Sequence, residues 1–310
     1  YKRQHMDIGV IGTGTMGSNH VRVYSELKDV DRVHVYDVNR AEADAVGAQF
    51  GCDVCGSVDE LLDEVDAVSI CAPTKHHYEL AKRAIEHGVH CLVEKPITST
   101  SEEGKKLLNL TRENLVVGVG HIERFNPIVG EIKKILTSPR YIEIRRHNPT
   151  SSRITDADVV GDLMIHDIDL VWSYFLNGED YEMCSFGDTE LHTVVARFGG
   201  CVVSLSASRL ACKKIRSIYI EEDEFSLDAD FMSQEMYIYR RPQRYGSDEA
   251  RYVQENVIEK VLVNKVEPLK QELSTFVGCV LTQEPFPITC EQAVRNLEIA
   301  EQIRGCHEPL

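Results

Sequence analysis

Ile8-Gly-Val-Ile11 runs directly into Gly12-Thr-Gly14-Thr-Met-Gly17. A short apolar run of this kind is a buried strand, and a G-x-G-x-x-G that follows a strand and opens a helix puts backbone N–H groups and a helix N-terminus where a pyrophosphate can bind. Gly12 permits the tight turn, Gly14 lets a phosphate approach the backbone, and Gly17 allows helix and strand to pack closely; Thr15 and Met16 complete the turn. Asp37 follows 20 residues after Gly17, at the end of the next apolar run. A carboxylate there accepts hydrogen bonds from a ribose 2′- and 3′-hydroxyl pair and repels a 2′-phosphate, which favours NAD over NADP. Arg40 is the one neighbour that could tolerate a phosphate if it swung over the ribose.

Outward from this turn, strand and helix alternate. Val33–Tyr36, Ala67–Cys71, Cys91–Val93 and Leu115–Val119 repeat the buried-strand pattern, and Met16–Leu27, Arg40–Phe50, His77–His87 and Ser101–Arg112 are helix-length segments between them. Alternation over that length predicts an α/β fold: a Rossmann, doubly wound parallel sheet over residues 6–122, with right-handed crossovers. Past Pro127 the rhythm changes. Tyr141–His147 alternates apolar with polar, a helix is expected from Asp162 to Leu176, and extended segments follow at Thr193–Phe198, Val202–Ser208, Ile215–Ile220 and Glu235–Tyr239. Residues 123–310 are therefore expected to form an α+β domain on a largely antiparallel open sheet, with Arg240–Asp248 as a polar loop. Helices at Leu269–Leu281 and Cys290–Ile303 close the chain, and the last is free to pack back on the first domain.

Composition narrows the function classes. Against 34 Lys and Arg stand 50 Asp and Glu, a formal charge of -16, which argues against nucleic acid as a partner because phosphate backbones require a surplus of cations on the binding face. No apolar run is long enough to span a bilayer and the N-terminus lacks the apolar core of a secretory signal, so a soluble cytoplasmic protein, with Met6 as its natural start, is expected. Of ten cysteines, only Cys52 and Cys55 form a C-x-x-C. With no second pair or histidines at ligand spacing, they read as ordinary thiols flanking a short strand rather than a zinc site, in keeping with a reducing compartment.

Ala72-Pro-Thr74 with His77, Glu94-Lys95-Pro96, Gly120-His-Ile-Glu-Arg-Phe-Asn-Pro127, Asp162-Leu-Met-Ile-His166-Asp-Ile-Asp169 and Glu267-Pro-Leu-Lys-Gln-Glu-Leu273 together resemble the Gfo/Idh/MocA family of sugar oxidoreductases, and the likeness covers nearly the whole chain. Within that family the segments are most similar to the branch that oxidises the 3-hydroxyl of UDP-N-acetylglucosamine to a ketone, which an aminotransferase can then use. The resemblance implies that Ala72, Pro73, Thr74, His77, Glu94 and Lys95 line the cofactor groove. It implies that Arg124, Asn126 and Arg153 lie on the substrate side, a guanidinium fork being well shaped for a diphosphate. It also implies a homodimer or homotetramer, formed through the uncovered face of the second sheet.

Oxidising a secondary alcohol with NAD needs a hydride acceptor held close to the carbinol carbon, a base for the hydroxyl proton, and positive charge for the developing alkoxide. On this reading Lys95 supplies the charge and His166, with an unperturbed imidazole value of about 6.5, accepts the proton near neutrality. Asp162, four residues earlier, shares a helix face with His166 and either orients it or binds a sugar hydroxyl. The division of proton transfer between Lys95 and His166 stays open, and both are counted among the substrate-binding residues. A metal held by Asp162, His166 and Asp169 is set aside, since hydride transfer to NAD does not require one. The rival readings are a dehydrogenase of a free polyol such as myo-inositol and a non-catalytic NAD-sensing regulator.

Overall fold

Apolar runs that are buried on both faces pair side by side, and here they pair in parallel. The computed structural model describes residues 6–149, 157–241, 245–248, 251–254 and 257–306. In chain order the first elements are β1 (Met6–Ile11), α1 (Thr15–Glu26), β2 (Val30–Tyr36), α2 (Arg40–Phe50), β3 (Asp53–Val54), α3 (Val58–Glu64), β4 (Ala67–Ile70), α4 (His77–His87), β5 (His90–Glu94), α5 (Ser101–Leu108) and β6 (Val117–Gly120). The strands form one parallel sheet in the order β3-β2-β1-β4-β5-β6, the doubly wound arrangement expected from the alternation. All four residues of β4 are buried, which explains why it reads as a continuous apolar run. Cys52 and Cys55 do flank a short strand, β3, and both are free thiols.

Local signals set the helix ends. Ser57 and Thr100 each accept a hydrogen bond from the backbone N–H three residues on, capping α3 and α5. Gly51 and Gly88 end α2 and α4 in the left-handed region, where a side chain would be strained. The helix expected to reach Arg112 stops at Leu108, because Leu110 and Thr111 turn their N–H groups back to Leu107 and Leu108 in three-residue steps.

The next elements are α6 (Pro127–Ile135) and β7 (Tyr141–His147). After them comes one continuous helical stretch, α7, made of π turns at Val160–Met164, an α turn at Ile165–Ile168 and π turns at Asp169–Phe175. Then follow β8 (Tyr181–Gly187), β9 (Leu191–Phe198), β10 (Cys201–Ser208), β11 (Ile215–Glu221), β12 (Phe225–Asp230), β13 (Glu235–Arg240), the hairpin β14 (Tyr245–Asp248) and β15 (Arg251–Gln254), and β16 (Val257–Lys260). Eight of these strands form a second sheet, β16-β13-β12-β11-β7-β10-β9-β8, antiparallel throughout except where β7 and β10 run parallel. The chain ends in α8 (Pro268–Thr282) and α9 (Cys290–Gly305).

Four elements correct the reading of the sequence. Helix α6 follows Pro127, in a stretch before Tyr141 for which no element was expected; Asn126 caps it, Pro127 takes the first position that needs no N–H donor, and Ile128, Val129 and Ile132 form its buried face. Strand β14 lies within the stretch expected to be loop and pairs with its neighbour β15. Strands β8 and β12 were not anticipated, since half their residues are polar or exposed.

The chain divides into two compact units, one holding the residues through Phe125 together with Glu267–Glu298, the other holding Asn126–Val266 and the chain from Ile299 onward. Each has its own apolar core. In the first, Ile8, Val10, Val35, Val68 and Val93 pack with Leu273, Phe276 and Ile288; in the second, Ile142, Ile144, Leu205 and Ile218 pack with Ile165, Ile168 and Trp172 of α7.

Candidate active site

In an open parallel sheet ligands bind beyond the carboxyl ends of the strands, where the strand order reverses. That reversal lies between β1 and β4. The glycine turn follows β1, Asp37 follows β2, Ala72–Thr74 follow β4, Glu94 ends β5 with Lys95 next, and Gly120 ends β6. Every site residue expected in the first unit, Arg124 apart, therefore lies at this one edge of one sheet or in the loops and helix starts that leave it.

The glycine turn fits a dinucleotide. Gly12 has φ +92°, and a Cβ there would stand 2.8 Å from the backbone of Cys71 and Ala72. A Cβ on Gly17 would meet the Gly12 carbonyl oxygen at 1.7 Å, so helix and strand approach to a distance only glycine allows. Above Gly14 there is open space, and α1 starts with no side-chain cap and no acidic residue in its first turn. Its first N–H groups are thus left for an anion. Asp37 is held in place from both sides: one carboxylate oxygen accepts from the Thr13 N–H (2.7 Å) and hydroxyl (3.2 Å), the other from the Asn39 N–H (2.8 Å). Arg40 points elsewhere, its guanidinium bound to Asp44 (2.8 Å) and to the Cys55 carbonyl (3.1 Å).

His77 and Glu94 are structural members of the same edge. The buried His77 ring places Nε2 2.7 Å from the Ala72 carbonyl and Nδ1 2.8 Å from the Pro96 carbonyl, joining the loop after β4 to the one after β5. Burial pushes its pKa down, against the pull of the two carbonyls. Glu94 is 8% exposed; one oxygen pairs with His20 Nε2 at 3.1 Å and the other accepts the Lys95 backbone N–H at 3.1 Å. Burial alone would raise the Glu94 carboxyl, but the bond and charge of His20, with Lys95, hold it below its ordinary value. Lys95 itself is half-buried.

In the second unit, Asp162 and His166 lie on α7, in the stretch where π turns give way to an α turn, and both are half-buried. Asp162 accepts from Arg209 at 3.2 Å, a partner nothing in the sequence pattern indicated. Next to His166, Asp167 is fully buried and gripped by Arg146 of β7 through Nε (3.0 Å) and an outer nitrogen (2.7 Å), a two-pronged pair that fixes this turn of the helix against the sheet. Asn126 is buried, caps α6 and donates to the Phe231 carbonyl at 3.0 Å. Arg124, in the first unit, is half-buried on the single helical turn Ile122–Phe125. Arg153 lies outside the described residues. Among the described residues, no group of three His, Cys, Asp or Glu side chains is arranged to hold a metal, and no helix is long and apolar enough to cross a membrane.

Residues 6–121 match the oxidoreductase family described by an NAD-binding Rossmann fold. The UDP-N-acetylglucosamine 3-dehydrogenase of Acidithiobacillus ferrooxidans is 33% identical over 97% of this chain and 96% of its own length. The chain belongs to the Gfo/Idh/MocA oxidoreductase family. A solved structure of the Acidithiobacillus enzyme covers 97% of both chains with a TM-score of 0.87. An inositol 2-dehydrogenase of Saccharopolyspora erythraea is 31% identical over 53% of this chain and 52% of its own. Levoglucosan dehydrogenase, solved with NADH and levoglucosan, shares the fold at 19% identity and a TM-score of 0.82, covering 98% of this chain and 97% of its own. The cofactor of this Rossmann edge is NAD, and the chain is an oxidoreductase of CH–OH groups.

Sequence reasoning missed Arg209, Arg146 and the role of His20. Arg146 sits on β7 and Arg209 just past the end of β10, where single cations carry no positional signal, and His20 is one buried residue among several on α1.

Proposed function

We propose that the protein oxidises the 3-hydroxyl of UDP-N-acetylglucosamine to a ketone, with Lys95 and His166 acting on the same carbinol group. The observation that carries this reading is the gathering of the glycine turn, Asp37, Ala72–Thr74, Glu94 and Lys95 at the carboxyl edge of one parallel sheet, in a chain alike over 97% of its length to an enzyme of that name.

Gly12–Gly17 and the start of α1 hold the pyrophosphate of NAD and Asp37 its adenosine ribose, with Glu94 and Lys95 further along the edge. NAD, when bound, supplies the hydride acceptor. The residues of the chain do the rest. Lys95 donates to the reacting oxygen and lowers the cost of charge developing there. His166 accepts the hydroxyl proton, and Asp162, set by Arg209, binds a sugar hydroxyl or orients the imidazole. Arg124, Asn126 and Arg153 serve the substrate, where local cations are needed because the chain as a whole carries a charge of -16.

The protein works in the cytoplasm as a homodimer or homotetramer, and its ketone product is passed to an aminotransferase. Exposed Val195, Val202, Tyr239 and Ile258 on the second sheet support association through that face. The test is purified protein given NAD with UDP-N-acetylglucosamine or myo-inositol, with and without a 2-oxoacid to reoxidise retained cofactor. Ketone formed from the sugar nucleotide supports the reading, turnover of inositol alone assigns a free polyol instead, and silence with both leaves a dinucleotide sensor.

A further inference from the structure

Behind the Glu94–Lys95 turn lies a second carboxyl that the reaction does not use. Glu272, on α8, is fully buried, and neither of its oxygens has a hydrogen-bond partner among the described residues. Helix α8 packs against the turn Ile122–Phe125 and against α1, whose His20 is bound to Glu94. An ionised carboxylate with no donor, out of water and near a second carboxylate, is not sustainable: such a pair keeps one proton between them, and the ionised member is the one that has donors. Glu94 has two, the His20 ring and the Lys95 N–H.

We propose that Glu94 and Glu272 form a buried acid pair sharing one proton, carried by Glu272, and that Glu272 is thereby a positioning residue for Lys95. With Glu272 neutral, Glu94 keeps its charge and both of its bonds, and the backbone at Lys95 stays fixed. The other titratable groups around the pair do not substitute for it. On α1, His20 is bound to Glu94, and Tyr24 is paired with Ser69 at 2.7 Å; after β4 comes Cys71. Burial first, with the charge of Glu94, keeps the Tyr24 phenol and the Cys71 thiol neutral. Glu123 and Arg124 belong to the turn packed on α8, and Lys270 on α8 itself is bound to Glu26. Burial first, then the charge of Glu94, raises the Glu272 carboxyl well above the usual carboxylate range, in agreement with the geometry.

The catalytic consequence rests on the role given to Lys95 above, but the pair itself is testable on cofactor-free protein. In the infrared difference spectrum between wild type and Glu272→Gln, wild type should show the carbonyl stretch of a protonated carboxylic acid, sensitive to deuterium, that the variant lacks. Absence of that band overturns the pair. The stability of the two proteins should also diverge with pH. Below about pH 4 an unfolded glutamate is protonated too and the variants should match. As pH rises, the unfolded chain ionises while the fold keeps the proton, so wild type loses stability relative to Glu272→Gln. A constant gap from acid to neutral pH contradicts the proposal. In turnover, Glu272→Gln should retain kcat within about threefold, whereas Glu272→Ala lowers kcat more than it raises the KM for NAD. Equal loss in both variants would make Glu272 merely structural. Should UDP-N-acetylglucosamine prove not to be the substrate, the infrared and stability results decide the acid pair regardless.

Discussion

Arg209 reaches across 47 residues of sequence to hold Asp162, with a guanidinium nitrogen 3.2 Å from the carboxylate and a further bond of 2.7 Å from the same nitrogen to the Ala157 carbonyl. Both side chains are largely shielded, at 7% and 14% exposure. The start of α7, and with it the face that carries His166, is thus tied to the end of β10.

Replacing Arg209 by Gln takes from the largely shielded Asp162 carboxylate the guanidinium it accepts from. The expected cost is about 3 kcal/mol of folding stability, read from the shift of the denaturation midpoint. On the proposed mechanism kcat/KM for the sugar nucleotide falls as well, and an unchanged value in a folded variant would remove Asp162 from the site.

Asp37 holds the glycine turn and, on the proposed reading, the adenosine ribose of the cofactor. Asp37→Ala takes away the acceptor for the Thr13 and Asn39 N–H groups and for the ribose hydroxyls. NAD affinity should drop by roughly 1.5–3 kcal/mol, the value of hydrogen bonds to a charged group, while affinity for NADP drops less. Titration calorimetry with both dinucleotides checks the difference.

The anchor of α7 should be acid-sensitive. Burial would raise the Asp158 carboxyl, but the Arg304 hydrogen bonds at 2.6 and 2.7 Å and the Gly161 N–H outweigh it and hold it below the ordinary value. A carboxyl lowered in the fold contributes stability above its unfolded value, and that contribution disappears as pH falls through the folded value. Wild type should therefore lose stability from about pH 4 downward more steeply than Asp158→Asn, measured by thermal unfolding across pH.

Association through the second sheet is tested on its exposed face. Val195, 43% exposed, stands opposite Ser204 on β10 and Cys184 on β8. Val195→Glu should shift the mass seen by light scattering from oligomer to monomer without unfolding the chain; a wild-type monomer at micromolar concentration would dismiss the oligomer altogether.

The Rossmann half was legible because each of its signals is local. An apolar run, a glycine turn and an acid 20 residues later are contiguous in sequence, and the structure puts them at one sheet edge. The second sheet was legible only where both the alternation and the turns were strong. Strands β8 and β12 mix exposed polar residues with few apolar ones, and α6 was hidden by the proline that begins it. What could not be read were the pairings. Arg209 with Asp162, Arg146 with Asp167, and Glu94 with His20 join residues far apart in the chain, and a lone arginine or glutamate carries no mark of its partner.

On the proposed mechanism Lys95 provides the charge for oxidation without holding the dinucleotide in place. Lys95→Ala, incubated with NAD and UDP-N-acetylglucosamine and followed by mass spectrometry for the 3-keto sugar nucleotide, should form no product while binding NAD within about tenfold of wild type, a difference of about 1.4 kcal/mol. Ketone formation by this variant at the wild-type rate would contradict that role for Lys95.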